Sequence, residues 1–366
     1  MIDTENDSPP GFTSLGIQGP WLERLAAKGI TAPVPIQALG IPAILAGSDV
    51  VLRSRTGSGK TLAYLLPALE RIDAASKKLQ VLVVVPTAEL AMQITKEAAE
   101  LAEGTPVRIA ALIGGASLQR QLDKLKTHPH LAVATPGRLL EILTMRKLKL
   151  TDVACCVLDE ADQTFRLGAG TGGEAESILA ALPASAQKVF CSATMGEAAA
   201  AVVARRTKNA VWVEADGDGG RLPETITHSY VVCEERDRID TVRRLVRTLQ
   251  PRAAILFLTH TDAAGEAEAK LRYHGLDIAA VYGDQPKQER AETMRRFRSG
   301  KLSLLLATDV AARGIDASNV THVIHVEPPT DEEQYLHRAG RTGRMGRPGE
   351  SVLVLAPRQL DLVEKF

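Results

Sequence analysis

Asp49-Val50-Val51-Leu52-Arg53-Ser54-Arg55-Thr56-Gly57-Ser58-Gly59-Lys60-Thr61 is the segment on which the fold of this chain turns. An apolar run over Asp49–Ser54 reads as a buried strand, a loop of small residues follows, and Lys60–Ile72 carries a helical pattern. Small residues let backbone N–H groups turn inward around phosphate oxygens, and the helix N-terminus adds its positive dipole end. Lys60 then neutralises the β and γ phosphates, and Thr61 can bind Mg²⁺. Ser54 stands where the strict phosphate-loop pattern has glycine, but serine is small enough for a tight turn. The competing reading is a Gly/Ser turn with a chance lysine; the strand before and the helix after favour the phosphate loop.

The same alternation continues outward. Val81–Val85, Val107–Ile113, Leu131–Ala134, Ala154–Leu158, Lys188–Cys191 and Ala210–Val213 read as strands, with helices such as Ala88–Ala102 and Arg138–Thr144 between. Strands that are apolar throughout and separated by helices predict a mainly parallel sheet with helices on both faces. Ala215–Pro223, rich in Gly and Asp and ending in proline, reads as a linker. Beyond it the pattern restarts with strands Ile226–Val232, Ala253–Thr259, Ile278–Tyr282, Leu302–Ala307, His322–Val326 and Ser351–Leu355. Helices Arg236–Leu249, Lys287–Arg298 and Asp331–Ala339 fall among them. The 366 residues therefore divide into two α/β domains.

Composition excludes more than it suggests. With 45% hydrophobic and 24% charged residues, the chain is not disordered, collagenous or coiled-coil as a whole. It has no run of eighteen apolar residues, and MIDTENDSPP at the start has no secretion-signal core. Cys155, Cys156, Cys191 and Cys233 lie in apolar runs without a CxxC pair and read as free buried thiols, which places the chain in the cytoplasm. Lys+Arg and Asp+Glu are both 44, and the part from Arg221 onward holds 22 basic and 21 acidic residues, so neither half is a polycation. At 4% aromatic, the chain has few stacking platforms for bases, so any grip on nucleic acid should fall on the backbone.

The strand Ala154–Leu158 delivers Asp159-Glu160-Ala161-Asp162 at its carboxyl end, the edge where open parallel sheets bind ligands. One carboxylate to hold Mg²⁺ and a second to orient or deprotonate water is what phosphoryl transfer to water requires; Asp159 suits the first role and Glu160 the second. An acidic helix N-terminus is the bland alternative, less favoured beside a phosphate loop.

These four residues, with Ser192-Ala193-Thr194 after the next strand, resemble the DEAD-box RNA helicases of superfamily 2. Pro86-Thr87-Ala88-Glu89-Leu90, Gly114-Gly115 and Thr135-Pro136-Gly137-Arg138 match that family's RNA-facing segments in order. Ala307-Thr308-Asp309-Val310-Ala311-Ala312-Arg313-Gly314-Ile315-Asp316 and His337–Arg344 match its fifth and sixth motifs. Ala32-Pro33-Val34-Pro35-Ile36-Gln37, with Phe12 upstream, resembles its adenine-reading segment.

The resemblance implies two tandem RecA-like domains with ATP and RNA at the cleft between them. Residues 1–36 would form an extension with the adenine-reading segment, 37–215 the ATP-binding domain, 216–223 the linker and 224–366 the C-terminal domain. It implies an ATPase acting with Mg²⁺, stimulated by RNA and unwinding duplexes locally or remodelling ribonucleoproteins. An ATP-dependent RNA clamp that unwinds weakly is the alternative. Phe12, Gln37, Ser54, Arg55, Thr56, Gly57, Ser58, Gly59, Lys60, Thr61 and Asp316 would hold ATP, with Mg²⁺ on Thr61 and Asp159, partly through water. Glu160, Lys60, Arg341 and Arg344 would be catalytic, the arginines neutralising charge on the γ-phosphate. Asp162, Ser192, Thr194, His337 and Arg313 would couple the domains. Pro86, Thr87, Gly114, Gly115, Thr135, Pro136, Gly137, Arg138 and Thr308 would contact the RNA backbone with little sequence preference. The expected unit is a monomer, and no protein partner can be read.

Several positions depart from the family pattern. Ala88 replaces a usual arginine, Val34 a usual threonine, Tyr282 a usual histidine, and Lys287 stands where glutamine is usual. The glycine-rich stretch Gln163–Gly173 is expected to form a loop where the family has a helix.

Overall fold

The computed structural model describes residues 11–54, 57–166, 173–215, 222, 224–282, 285–312, 319–343 and 347–366. The chain separates into two compact units, Met1–Gly220 and Arg221–Phe366.

In the first unit, α1 (Pro20–Ala27) and α2 (Pro35–Leu45) lead into β1 (Val50–Arg53) and α3 (Lys60–Glu70). Then β2 (Val81–Val84), α4 (Ala88–Leu101), β3 (Ile109–Leu112), α5 (Leu118–Leu125), β4 (Leu131–Ala134) and α6 (Pro136–Thr144) alternate. The run ends with β5 (Cys155–Asp159), α7 (Ala161–Arg166), α8 (Glu174–Ala181), β6 (Gln187–Ser192), α9 (Glu197–Arg206) and β7 (Val211–Glu214). The seven strands lie in the order β3-β4-β2-β5-β6-β1-β7, with every pairing parallel.

The core follows from strand alternation. Val50, Leu52, Val81 and Val83 point to one face and pack with α2, α3 and α4, while Val51, Leu82 and Val84 point to the other and meet α6 and α8. With both faces covered by helices, the inner strands β4, β2, β5, β6 and β1 have little solvent side, which is why their sequences are mostly apolar, while Val211 and Trp212 of the edge strand β7 are exposed.

The second unit holds β8 (Ile226–Val232), α10 (Arg238–Leu249), β9 (Ala254–Leu258), α11 (Thr261–Tyr273), β10 (Ile278–Val281) and α12 (Lys287–Arg298). These are followed by β11 (Leu304–Thr308), α13 (Asp309–Ala312), β12 (His322–His325), α14 (Glu332–Ala339), β13 (Gly349–Leu355) and α15 (Leu362–Lys365). Its strand order is β10-β11-β9-β12-β13-β8, again parallel throughout. Ala254, Leu256 and Leu258 face one core, and Ala253, Ile255 and Phe257 the other.

Where the sequence predicts a loop over Gln163–Gly173, the first residues are helical. Ala161–Arg166 form α7, because the Thr164 hydroxyl bonds the carbonyls of Asp159 and Glu160 and Phe165 packs on Phe190 with ring centroids 6.0 Å apart. Residues 167–172 lie outside the described set. A 3-10 turn at Glu235–Asp237 precedes α10, so the helix begins two residues later than the pattern over Arg236–Leu249 predicts. Asp331 is the N-cap of α14 rather than its first residue, its carboxylate accepting from the Gln334 amide at 2.8 Å. The four cysteines are free, three of them buried. Among the described residues no helix is long and apolar enough to cross a membrane.

Candidate functional site

Because all strands of the first unit are parallel, their carboxyl ends share one edge, and the strand order distributes the motif residues along it. At the ends of β5, β6 and β1 stand Asp159 and Glu160, Ser192 and Thr194, and the loop before Lys60. At the ends of β3, β4 and β2 stand Gly114 and Gly115, Thr135–Arg138, and Pro86–Thr87. Two chemically different sets occupy two halves of one edge, meeting between β2 and β5.

The phosphate-loop half is built on backbone geometry. Gly57 (φ 82°) and Gly59 (φ 96°) are left-handed, and a Cβ on Gly59 would come within 2.6 Å of Gln37 Nε2 and 2.8 Å of Val34. Lys60 opens α3 and reaches back to the Ser54 carbonyl, while the Ser54 amide donates to Ser192 at 3.1 Å, tying the loop to β6. Burial pushes the Lys60 ammonium below its ordinary range, an effect opposed first by the negative charge of Asp159. Burial likewise pushes Asp159 up, opposed first by Lys60. Among the described residues the buried Ser58 hydroxyl has no hydrogen-bond partner, a free donor in the loop that would cradle phosphates.

Gln37, only 2% exposed, joins this loop to the upstream segment: its Oε1 accepts from Val34 N at 3.0 Å and its Nε2 donates to Gly59 O at 3.1 Å. Each bond uses half of what the amide offers, leaving one N–H and one lone pair. Phe12 is 4% exposed and packs in the core with Ile17, Trp21 and Ile36 rather than presenting an open ring face. Val34 caps α2 without a side-chain bond, as an apolar residue must.

Asp159 closes β5, and Glu160 forms the junction to α7 with φ 47°, a left-handed conformation costly for a side-chain-bearing residue. Such strain re-aims a carboxylate between strand and helix. Asp159 accepts from the Glu160 amide through Oδ1 at 2.9 Å and from the Tyr64 hydroxyl through Oδ2 at 2.9 Å. Asp162 is 4% exposed; Ser192 donates to its Oδ1, and Thr194 to its Oδ2 at 3.3 Å.

Among the described residues no group of three or more His, Cys, Asp or Glu could hold a metal ion by itself. The buried Asp159 carboxylate at the end of β5 and the Thr61 hydroxyl in the first turn of α3 are oxygen donors of the kind that fit Mg²⁺, which keeps water and takes phosphate oxygens as ligands; they do not fit a protein-caged ion such as zinc.

On the other half of the edge, Thr87 caps α4 by accepting from the Leu90 amide at 3.2 Å, and Pro136 opens α6 directly after Thr135. Thr135 Oγ1 accepts from Gly114 N at 3.1 Å, while Arg138 reaches the Ala116 carbonyl at 3.2 Å and Glu141 at 2.8 Å. Gly115 is left-handed at φ 75°. The loops after β3 and β4 are thus cross-linked, and with the Thr87 cap beside them the edge presents hydroxyls, amides and one arginine, the kinds of donor that contact nucleic-acid phosphates and sugars. Ala88 occupies the first helical position of α4 in the same row.

In the second unit, Thr308 ends β11 and is 4% exposed. Arg341 follows α14, is 6% exposed, and donates to the carbonyl of His337 at 3.2 Å. Arg55, Thr56, Arg313, Asp316 and Arg344 lie outside the described residues, as does the side chain of Lys287.

Residues 34–202 match the family model described as DEAD/DEAH box helicase, and residues 237–346 match that of the helicase conserved C-terminal domain. The DEAD-box ATP-dependent RNA helicase CshC of Bacillus cereus is 42% identical over 341 residues, covering 93% of this chain and 86% of that relative. The chain belongs to the DEAD-box helicase family. CshA of Bacillus cereus is 35% identical over 348 residues, covering 95% of this chain and 66% of its own length. Among solved structures, S. cerevisiae Dbp5 bound to RNA and ADP BeF3 matches with a TM-score of 0.88 and 26% identity, over 96% of this chain and 91% of that one. The two parallel-sheet units are therefore the helicase domains of this family, and the chain is an ATP-hydrolysing enzyme by membership in it.

Two features of these domains are not readable as motifs. Tyr64 looks like one more apolar position of α3 until the fold sets its hydroxyl against Asp159. Arg338 sits in the basic run His337–Arg344 but is 1% exposed and turned inward onto Asp309. Its helical spacing from the apolar Tyr335 and Ala339, which line the buried side of α14, is the hint the sequence carries.

Proposed function

We propose that this chain is an ATP-dependent RNA helicase that hydrolyses ATP to ADP and phosphate when RNA is bound, and uses that cycle to separate short duplexes or remodel ribonucleoproteins. The observation that carries the reading is the divided edge of the first sheet: phosphate loop and acidic pair on β1, β5 and β6, polymer-facing loops on β2, β3 and β4. A chain that only bound ATP would not need the second set, and one that only bound RNA would not need the first.

In this reading Lys60 and the loop from Ser54 to Gly59 bind the phosphates, and Gln37 offers its remaining N–H and lone pair to adenine, while Phe12 supports that segment from the core. Bound with the nucleotide through Thr61 and Asp159, Mg²⁺ supplies charge neutralisation at the phosphates. Glu160 orients the attacking water and accepts its proton. Arg341 and Arg344 from the second domain neutralise charge developing on the γ-phosphate, and Asp316 holds the ribose. Asp162, with Ser192 and Thr194, meets His337 and Arg313 when the domains close, so ATP and RNA favour each other's binding reciprocally. Pro86, Thr87, Gly114, Gly115, Thr135, Pro136, Gly137, Arg138 and Thr308 hold the RNA by phosphates and 2′-OH groups, without reading sequence. The enzyme acts as a monomer in the reducing cytoplasm, consistent with four free cysteines.

The helicase names of the relatives favour this reading over an RNA clamp. The test is ATP turnover of the intact chain with no polymer, with single-stranded RNA and with the matching DNA, followed by release of a labelled strand from a short RNA duplex. RNA-specific stimulation with strand release is expected. Turnover indifferent to RNA overturns the reading; stimulation without strand release leaves the clamp.

A further inference from the structure

The carboxylate of Asp159 is held by two donors from different parts of the chain. The Glu160 amide, next in sequence, engages Oδ1, and the Tyr64 hydroxyl, 95 positions away on α3, engages Oδ2, each at 2.9 Å. An ionised carboxylate has no hydrogen to give, so the phenol is the donor. Left alone, an aspartate carboxylate rotates broadly about its last torsion, and only donors on both oxygens fix its plane. Two bonds still leave lone pairs on each oxygen for water or a metal ion.

Tyr64 lies four residues after Lys60 and three after Thr61, so it follows both on one side of α3 a turn further along. The helix that brings the ammonium and the threonine hydroxyl to the phosphates therefore also brings the anchor of the acidic group opposite them. Tyr64 is fully buried, and α3 is buried along nearly its whole length, from Leu62 to Leu69, so the anchor sits on a rigid element rather than on a loop.

We propose that Tyr64 is a positioning residue for the reaction, its hydroxyl setting the orientation in which Asp159 receives the magnesium–nucleotide complex. The inference rests on the assignment of Asp159 to Mg²⁺ made above. Groups that orient a metal-binding side chain typically change metal affinity ten- to a hundred-fold when removed. Phenylalanine at position 64 keeps the ring and its packing and removes only the donor.

The test titrates Mg²⁺ into the intact chain in the presence of a fluorescent ATP analogue, for the native protein and for Tyr64→Phe, with the melting temperature of each. In Tyr64→Phe the half-saturating Mg²⁺ concentration rises about ten-fold, while nucleotide affinity in EDTA stays within about two-fold. Superimposable Mg²⁺ curves overturn the proposal, and so does an equal loss of affinity with and without Mg²⁺, which would mark Tyr64 as packing alone. A native protein whose nucleotide binding ignores Mg²⁺ removes the metal assignment itself, a separate failure. A double variant with Asp159→Asn should show no further Mg²⁺ effect of Tyr64→Phe, because the hydroxyl acts through that carboxylate. If Tyr64→Phe does not fold, the ring-carbon resonance of Tyr64 in ¹³C-tyrosine-labelled native protein replaces it: that signal shifts when Mg²⁺ joins bound nucleotide, and a signal that stays still overturns the proposal.

Discussion

Arg338 grips Asp309 with a two-pronged ion pair, Nε to Oδ1 at 2.6 Å and Nη2 to Oδ2 at 2.7 Å. Its third nitrogen donates to the Glu327 carbonyl at 2.7 Å, and its guanidinium lies 5.1 Å above the Phe257 ring. Gln334 adds a bond to Asp309 at 2.8 Å. One buried side chain thereby joins α14, which leads to Arg341, to the start of α13, which follows Thr308. Forked, desolvated geometry of this kind is what separates arginine from lysine. Arg338→Ala strands a partly buried carboxylate and should cost about 3 kcal/mol in a urea melt of the intact chain, and Arg338→Lys should recover less than half.

Glu160→Gln keeps the backbone and the side-chain size at a strained junction but cannot take a proton. RNA-stimulated phosphate release should fall by at least about 100-fold, the scale of general-base catalysis, while binding of an ATP analogue is retained. Full turnover in that variant would remove Glu160 from its assigned role.

His325 lies in the core of the second domain, stacked between Phe257 at 6.2 Å and Tyr335 at 5.1 Å, with Nε2 3.0 Å from Ser351 Oγ. Burial holds its ring well below the ordinary histidine range, and the charge of Arg338 adds to the effect; burial lowers His228 in the same network. With the folded value depressed, the unfolded chain binds the proton more readily below pH 6.5. Stability is therefore full above that pH and falls as the pH drops beneath it, by up to about 1.4 kcal/mol per unit for one such group. Melts of the intact chain between pH 5 and 8 should show this acid loss, and His325→Gln should flatten it; an unchanged slope would exclude His325 as its source.

Ala88 opens α4 in the row of loops proposed to face RNA, where the resemblance to the family leads one to expect arginine. Ala88→Arg should lower the RNA concentration that half-saturates ATPase stimulation and steepen its salt dependence by about one unit of log–log slope, the signature of one added phosphate contact. Basal turnover without RNA should not change.

The inner strands were legible because a sheet covered on both faces leaves apolar runs with no polar alternation to confuse them: Val81–Val85 and Leu131–Ala134 fall within one residue of β2 and β4, and the mixed, largely exposed edge strand Ile226–Val232 coincides with β8. The phosphate loop and the acidic pair could be found because their chemistry needs fixed residue types at fixed spacing. Strand order could not: nothing in linear sequence says that β2 lies between β4 and β5. The loop expected over Gln163–Gly173 followed from its glycines, yet α7 forms because Thr164 and Phe165 find partners on β5 and β6. Tyr64 and Arg338 were hidden for a related reason, since their roles depend on partners 95 and 29 positions away.

The position of β2 between β4 and β5 means that the proposed hydrolytic and RNA-binding sets share one scaffold and meet along a single strand pair. In the first domain Lys60, Thr61, Asp159 and Glu160 carry the residue types the proposed chemistry asks for, while departures from the expected pattern fall on both sides of that seam, Ser54 and Val34 on one and Ala88 on the other. If the proposed assignments hold, a substitution such as that at position 88 would alter grip on RNA without touching the residues proposed to consume the nucleotide.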